Sequence, residues 1–300
     1  MKLVYLGSPE AAVAPLKALV VAGHEVLLVV SQPDRKRGRG GALVPSPVKS
    51  CARGLGLPVT DQPSDVLDAV ANGAELGVVV AYGRIIKPVL LDALPFVNLH
   101  FSLLPRWRGA APVERAVLAG DTETGVCLMA LEAGLDTGPV YRRVVTPIEV
   151  HESVSGLRAR LVALGTDMLV DALARGPLDP ASAQAQVGDV TYAAKLDPAE
   201  AMVDWSRPAT SIERLTRVGT AWTTFRGKRL KILGAEAEDP SGPYEASPGG
   251  TILGDRSLVR VATGEGMLRL LLVQPEGKAS MDAIAWRNGV HAHVLERLGT

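Results

Sequence analysis

Short apolar runs alternate with helical segments along the first half of the chain, and this order restricts its fold more than any other feature. Four of the runs have the length and apolar content of buried strands: KLVYLG, EVLLVVSQ, ELGVVVAYG and FVNLHFS. Helices are predicted from Pro9 to Val21, from Pro88 and from Pro112, since proline suits a first helical turn. The pattern predicts an α/β domain with a mostly parallel sheet, whose ligands bind at the carboxyl ends of the strands.

The second half of the chain changes character twice. Two further strands, GVCLMALE and VYRRVVTPIEV, and an amphipathic helix from Ser153 to Ala174 complete a first domain predicted to span residues 1–176. The following stretch is rich in Pro, Asp and Ala and has no periodicity, which predicts a linker over 177–206. Short strands separated by turn residues then predict a smaller β-barrel domain of the OB type over 207–300.

The composition disfavours several classes of protein. The chain has 300 residues, of which 47% are hydrophobic, so it can bury a substantial core. The amino terminus lacks the pattern of an export signal, and no uncharged apolar run approaches the roughly 20 residues of a membrane span. We therefore expect a cytoplasmic protein with no membrane association. Cys51 and Cys127 lie far apart and lack metal-ligand spacing, so we expect neither a disulfide nor a metal site.

Three polar residues between Val97 and Gly138 have the chemistry of acyl transfer. Asn98 and His100 are two positions apart near a strand end, so they point to the same face. Asparagine donates to a developing oxyanion, and histidine moves protons near neutral pH. Asp136, in GLDTG, adds a carboxylate that orients the imidazole and favours its charged form. Singly, each is more often a core, surface or turn residue; together they form a candidate catalytic set.

The string NLHFSLLPRWRGAAP, followed by GLDTG, resembles the folate-dependent formyltransferases, and most closely those members of the family that act on methionyl-tRNA. The likeness extends across nearly the whole chain, through GSPEAA, QPD, VPSPVK, VVVAYG, TYAAKL and DWSRPA. The resemblance implies a Rossmann-like formyltransferase domain. It also implies that 10-formyltetrahydrofolate gives its formyl group to the α-amine of methionyl initiator tRNA, for translation initiation, without a metal.

The resemblance also assigns roles to individual residues. Asn98, His100 and Asp136 become the catalytic residues. Six residues become candidates for folate binding: Tyr82, Gly83, Ser102, Leu103, Leu104 and Pro105. Ser102 is a better binder than nucleophile, because it is not in a G-x-S-x-G elbow and a direct attack by the amine needs no covalent intermediate.

Positive charge is concentrated in one segment, although the formal net charge of the chain is zero. No acidic residue occurs from Arg35 to Thr60, where six Lys and Arg residues lie. A solvated flexible loop accounts for this segment equally well, but the resemblance favours contact with tRNA phosphates. The candidates are Lys36, Arg37, Arg39 and Lys49. Arg39, in GRG, matches the family's important arginine, whose planar fork lysine lacks.

Several alternatives remain open at this stage. A formyltransferase for glycinamide ribonucleotide or an amino sugar, or a hydrolase of 10-formyltetrahydrofolate, keeps the same catalytic residues. A small acceptor leaves the basic loop and second domain without a clear role, although a sugar enzyme can carry a related second domain. A non-enzymatic RNA-binding module predicts loss of one of the three polar residues, and none is lost. A nicotinamide dehydrogenase is disfavoured because LGSPEAA lacks the G-x-G-x-x-G phosphate loop.

Two segments depart from the family pattern. A longer element is shortened to VGTAW at Val218 to Trp222, and Glu10 and Ala11 stand where a bulkier residue is usual. The first departure concerns contacts with tRNA, and the second concerns the pocket for the methionine side chain. We further expect the protein to be a monomer.

Overall fold

The computed structural model describes residues 1–37, 41–238, 247–253, 257–293 and 295–300. Those residues divide into two compact units. Unit 1 comprises residues 1–113, 123–147 and 157–194, and unit 2 comprises 114–122, 148–156 and 195–300. The domain boundaries drawn from the sequence at 176 and 206 stay a prediction.

Unit 1 is built on a mixed sheet. Its strands are β1 (Lys2–Gly7), β2 (Glu25–Val30), β3 (Arg35–Arg37), β4 (Ala42–Val44), β5 (Val59–Thr60), β6 (Leu76–Val80), β7 (Phe96–His100), β8 (Arg108–Gly109), β9 (Glu123–Ala130), β10 (Val140–Pro147) and β11 (Tyr192–Ala193). Seven of them form one sheet in the order β10-β9-β7-β6-β1-β2-β5. The five strands from β7 to β5 are parallel, β9 is antiparallel to β7, and β10 is antiparallel to β9. The predicted mostly parallel sheet is therefore confirmed.

Eight α-helices lie in the described ranges. They are α1 (Val13–Val21), α2 (Pro47–Gly54), α3 (Val66–Ala71), α4 (Pro88–Ala93), α5 (Pro112–Ala119), α6 (Val154–Leu173), α7 (Ala209–Arg217) and α8 (Ala283–Gly289). Single 3₁₀ turns lie at Glu10–Ala12, Pro63–Asp65, Pro180–Ser182 and Pro198–Ala201. Proline opens both α4 and α5, as predicted, whereas α1 begins four residues after the predicted Pro9. None of the helices in the described ranges is long and apolar enough to cross a membrane.

Burial on both faces explains why the central strands are largely apolar. All residues of β6 and β7 are buried, as expected for strands covered by helices on each side. One core cluster joins β1, β2 and β6 to α3 and α4, with Val4, Val30, Val66, Val79 and Leu90 among its members. Each such side chain contributes about 1.5–3 kcal/mol when fully buried. The result is a firm support for the polar residues that β7 carries.

Gly77 allows β6 and β7 to lie close together, and replacing it with alanine is expected to destabilise the fold. A Cβ atom at Gly77 would lie 2.1 Å from the Phe96 ring, which is buried in the core. Overpacking of this kind costs about 1–3 kcal/mol in the free energy of unfolding. Chemical denaturation measures the loss. Gly54→Ala is the matched control, because a Cβ there meets no atom within 4 Å, and equal stability of the two variants would contradict the prediction.

Unit 2 contains an antiparallel sheet. Its strands are β12 (Trp222–Phe225), β13 (Lys228–Glu238), β14 (Ile252–Leu253), β15 (Arg260–Ala262), β16 (Met267–Pro275) and β17 (Met281–Asp282). They are ordered β12-β13-β16-β15-β14, and β17 pairs with β16. The Phe225 and Trp286 rings meet edge to face in its core, with centroids 5.1 Å apart. The predicted second domain of short strands is confirmed as an antiparallel sheet, and its closure into an OB-type barrel stays a prediction.

Candidate active site

A cavity of about 550 Å³ lies at the carboxyl ends of β6 and β7. Its volume falls within the usual range for small-molecule sites. Asn98 and His100, on the same face of β7, both line it and are 9% and 5% exposed. Asp136 lines it from the loop that joins β9 to β10. The three residues selected from the sequence therefore meet at one cavity, at the edge of the sheet where the fold is expected to bind ligands.

His100 is held from two sides. Its Nε2 atom lies 2.8 Å from the carbonyl oxygen of Trp107. Because a carbonyl oxygen only accepts, Nε2 carries a hydrogen and donates it. The other ring nitrogen, Nδ1, lies 3.6 Å from Oδ2 of Asp136, which is longer than a hydrogen bond but close enough for charge attraction. When both nitrogens are protonated, one N–H points to the carbonyl and the other lies beside the carboxylate.

Asp136 is fixed by the backbone around it. Its Oδ2 atom accepts a hydrogen bond of 2.8 Å from the backbone N–H of Gly109. Its own φ angle is +52°, in the left-handed region that aspartate tolerates better than most residues. A Cβ atom at Gly138 would lie 2.0 Å from the carbonyl oxygen of Ala130, so the turn requires glycine there. Gly138, the second glycine of GLDTG, therefore lets the loop that carries Asp136 fold back beside β9.

The loop after β6 forms another part of the cavity wall. Tyr82 and Gly83 both line the cavity, and Gln32 Nε2 donates a 3.0 Å hydrogen bond to the Tyr82 carbonyl. Gly83 has φ of +74°, which favours glycine. Burial raises the pKa of the Tyr82 hydroxyl, and the positive charge of Arg84 opposes that shift. Tyr82 and Gly83 thus line the same cavity as Asn98 and His100, and their contact with folate stays a prediction.

The four residues of SLLP lie outside the wall of this cavity. Ser102 is fully buried, and its hydroxyl donates a 2.6 Å hydrogen bond to the Arg106 carbonyl. Leu104 packs in a small cluster with Cys127, Met129 and Val140. Ser102, Leu103, Leu104 and Pro105 directly follow β7 and so shape the loop beyond His100. Their contact with folate stays a prediction.

The basic segment contains a hairpin. Strands β3 and β4 pair antiparallel, with Lys36 opposite Leu43 and Arg37 opposite Ala42. Lys36 is exposed, and the backbone of Arg37 lies in β3. Arg39, the main candidate for tRNA contact, lies outside the described residues. Exposed positive charge on this hairpin is compatible with the predicted RNA contact.

Lys49 has a different environment from Lys36. It is 8% exposed, and its ammonium lies 2.7 Å from Asp34 Oδ1 and 3.9 Å from Asp61 Oδ2. Ser46 caps the same helix, α2, by accepting a hydrogen bond from the Lys49 backbone. Lys49 thus joins α2 to the segment that precedes the hairpin. Its predicted tRNA contact stays a prediction, while its position favours a structural role.

Residues 184–193, here called the strap, pair with segments next to the cavity without lining it, although the sequence pattern placed them in a linker. The backbones of Gln184 and Val140 exchange two hydrogen bonds, and β11 pairs with β8. The Thr191 hydroxyl accepts a 2.8 Å hydrogen bond from the Trp107 backbone. The strap therefore supports the segment that contacts His100 and Asp136. Thr191 falls within TYAAKL, but its place beside Trp107 comes from pairing between distant segments.

Two groups of candidate residues remain, metal ligands and cysteine thiols. In the described ranges no three His, Cys, Asp or Glu side chains are grouped to hold a metal ion. Cys51 and Cys127 are free thiols, and burial raises the pKa of both. Neither thiol lines the cavity.

Two family models match the chain. One, described as formyl transferase, matches residues 1–173, and the other, described as formyl transferase, C-terminal domain, matches residues 195–291. The chain belongs to the formyl transferase family. Curated relatives of this formyl transferase match nearly all of the chain and nearly all of their own length.

Three relatives illustrate the match, and each is named methionyl-tRNA formyltransferase. The Ruegeria pomeroyi protein is 45% identical, covering 96% of this chain and 97% of its own. The Dinoroseobacter shibae protein is 47% identical, covering 94% and 95%. The Methylococcus capsulatus protein is 43% identical, covering 100% of both chains.

Solved structures support the formyl transferase fold. An N-formyltransferase from Helicobacter canadensis, in complex with folinic acid and dTDP-3-aminofucose, superposes with a TM-score of 0.64 at 15% identity and covers 92% of this chain and 99% of its own. HypX from Aquifex aeolicus, in complex with tetrahydrofolic acid, gives a TM-score of 0.64 at 14% identity, covering 98% of this chain and 48% of its own. At these identities the likeness concerns the fold alone.

Proposed function

We propose that this formyl transferase transfers the formyl group of 10-formyltetrahydrofolate to the α-amine of methionyl initiator tRNA. The observation that carries the proposal is the 43–47% identity to enzymes named for that activity over nearly the whole chain. The cavity supports it, because Asn98, His100 and Asp136 lie around one space large enough for part of a folate. The product, N-formylmethionyl-tRNA, serves translation initiation.

The side chains around the cavity suit attack of an amine on a formyl carbon. When bound, 10-formyltetrahydrofolate supplies the formyl group. Asn98 donates a hydrogen bond to the formyl oxygen as it gains negative charge. The Trp107 carbonyl engages His100 Nε2, so Nδ1 is the nitrogen left for Asp136 and the reacting atoms. Asp136 accepts the proton that the amine loses, and the His100–Asp136 pair returns a proton to the folate nitrogen as its bond to the formyl carbon breaks.

The acceptor is assigned through the relatives and the basic hairpin together. A folded positive hairpin suits phosphate contact, which is the main source of affinity for nucleic acid. Unit 2 matches the family's C-terminal domain, and Arg229 packs over the Trp222 ring at 4.3 Å on its β12–β13 surface. A small amine leaves the positive hairpin without a clear role. We further propose that the enzyme acts in the cytoplasm as a monomer, which sedimentation at the mass of one chain tests.

Formyl transfer to methionyl initiator tRNA tests the proposal directly. Purified protein is incubated with 10-formyltetrahydrofolate and one acceptor at a time: the charged tRNA, glycinamide ribonucleotide, an amino-sugar nucleotide, or water alone. Formylated methionyl-tRNA in the first reaction, and little product in the others, supports the proposal. Preferred formylation of a small amine, or release of formate with water alone, overturns it in favour of the corresponding alternative.

Lys36 and Lys49 are expected to affect different properties of the protein. Lys36→Ala removes an exposed cation, so we expect weaker tRNA binding and a salt dependence of log K that is less steep by about one unit. Lys49→Ala removes the partner of Asp34, and we expect a loss of about 1–3 kcal/mol in the free energy of unfolding.

Filter binding over a range of salt concentrations and urea denaturation measure the two effects. Each variant is the control for the other, since Lys36→Ala is expected to keep the stability of the parent. A Lys49→Ala protein of unchanged stability with a reduced salt slope would show that Lys49 contacts tRNA rather than anchoring the hairpin.

A further inference from the structure

The side chain of Gln186, in the middle of the strap, contacts both segments that hold the catalytic pair. Its Nε2 atom donates hydrogen bonds of 2.8 Å to the backbone carbonyls of Asp136 and Gly138. Its Oε1 atom accepts from Arg108, at 3.1 Å from Nε and 2.7 Å from Nη2. One amide thus links the Asp136 loop to the segment that carries Trp107 and Gly109.

The orientation of this amide is fixed by its partners. Two carbonyl oxygens can only accept, and a guanidinium can only donate, so the NH₂ group must face Asp136 and Gly138 while the oxygen faces Arg108. All four contacts are then satisfied at once. A charged guanidinium donor strengthens the Arg108 side of the link. No other side chain type of this length offers two donors at one end and an acceptor beside them.

The Gln186 amide binds a loop whose backbone conformation is unfavourable by itself. Asp136 has φ of +52°, and Gly138 is tightly packed against the Ala130 carbonyl, so the loop holds a sparsely populated conformation. Gln186 binds the carbonyl of Asp136 itself, while the Gly109 N–H binds its carboxylate. Removing the amide leaves two carbonyls without their donor and frees the loop to relax. The 3.6 Å separation between Asp136 and His100 then loses one of its fixed supports.

We propose that Gln186 is a positioning residue that sets the carboxylate of Asp136 against His100. The inference rests on the proposed function, because its readout is formyl transfer. A displacement of about 1 Å in a catalytic group can cost on the order of 100-fold in rate. Gln186→Ala is therefore expected to lower kcat by about 10- to 100-fold, with the KM for tRNA and for folate within about threefold of the parent.

Two further variants separate positioning from simple loss of structure. Gln186→Glu keeps the length and the acceptor for Arg108 but turns an oxygen toward the carbonyls of Asp136 and Gly138, so we expect a kcat as low as that of Gln186→Ala. Gln184→Ala is the matched control, because Gln184 is exposed and joins Val140 through its backbone. We expect it to match the parent enzyme.

A double variant provides the decisive comparison. In an Asp136→Asn background, measured by single turnover with excess enzyme, Gln186→Ala is expected to cost no more than about threefold, since the carboxylate that it positions is already gone. An equal loss in both backgrounds, or an unchanged kcat for Gln186→Ala and Gln186→Glu, overturns the inference. Absence of formyl transfer by the parent enzyme would instead refute the proposed function before any variant is compared.

Discussion

Replacing Asn98 with alanine is expected to lower kcat for formyl transfer by about 100- to 1,000-fold, the usual effect of removing one donor to an oxyanion, or about 2.7–4 kcal/mol. The amide lies in the middle of the sheet on β7, 9% exposed, and lines the cavity. The strand holds it before substrate arrives, so no reorganisation is needed as charge develops. Because ground-state binding draws on other contacts, the KM values are expected to change little.

Steady-state kinetics with methionyl-tRNA, together with tRNA binding measured at equilibrium, tests this expectation. Asn72→Ala is a suitable control, since Asn72 is exposed at the end of α3 and its side chain donates a hydrogen bond to the Asp68 carbonyl, away from the cavity. A near-normal kcat for Asn98→Ala would contradict the oxyanion role. A rise in KM with an unchanged kcat would instead assign Asn98 to substrate binding.

The central sheet follows closely from the sequence because local pattern and burial agree there. KLVYLG, EVLLVVSQ and FVNLHFS contain the strands β1, β2 and β7, and apolar side chains on both faces have no other stable location. The proline signals at Pro88 and Pro112 also mark the first residues of α4 and α5. The period of two along β7 then places Asn98 and His100 at one cavity.

The strap shows what local pattern cannot reveal. Residues 184–193 are mostly exposed and have no hydrophobic periodicity, so they carry no signal of a helix or a strand. Their order comes from backbone pairing with Val140 and with β8, and from the Gln186 amide. Such pairing depends on the fold of distant segments, which a single sequence does not specify. Local pattern therefore does not single out Gln186.

Charge runs are a weak guide for a related reason. Lys36 and Lys49 belong to the same basic stretch, yet one is exposed and the other is paired with Asp34. The sequence gives no sign that Asp34 lies beside the helix that begins at Pro47. SLLP is a similar case, because Leu104 fills a buried cluster that includes Cys127 on β9.

Asp136→Asn is expected to lower kcat by about 100- to 10,000-fold, the range of general acid–base catalysis. The substitution keeps the size of the side chain and an oxygen that accepts from the Gly109 N–H. It removes the negative charge that faces His100 Nδ1 at 3.6 Å and the base available to the attacking amine. Rapid-quench single-turnover assays measure the chemical step without interference from product release. Asp121→Asn, away from the cavity, is the matched control for loss of one carboxylate.

Asp136 and His100 are expected to act as one unit. The kcat of a variant that lacks both side chains therefore tests whether they depend on each other. His100→Ala alone should reduce kcat as far as Asp136→Asn, since each residue works through the other across the same 3.6 Å. The double variant should then lose little more than either single variant, because a group that acts as a unit is lost with its first member. Fully multiplicative losses would show that the two side chains act independently. In that outcome Asp136 would serve the attacking amine alone, and the Trp107 carbonyl would suffice to orient the imidazole.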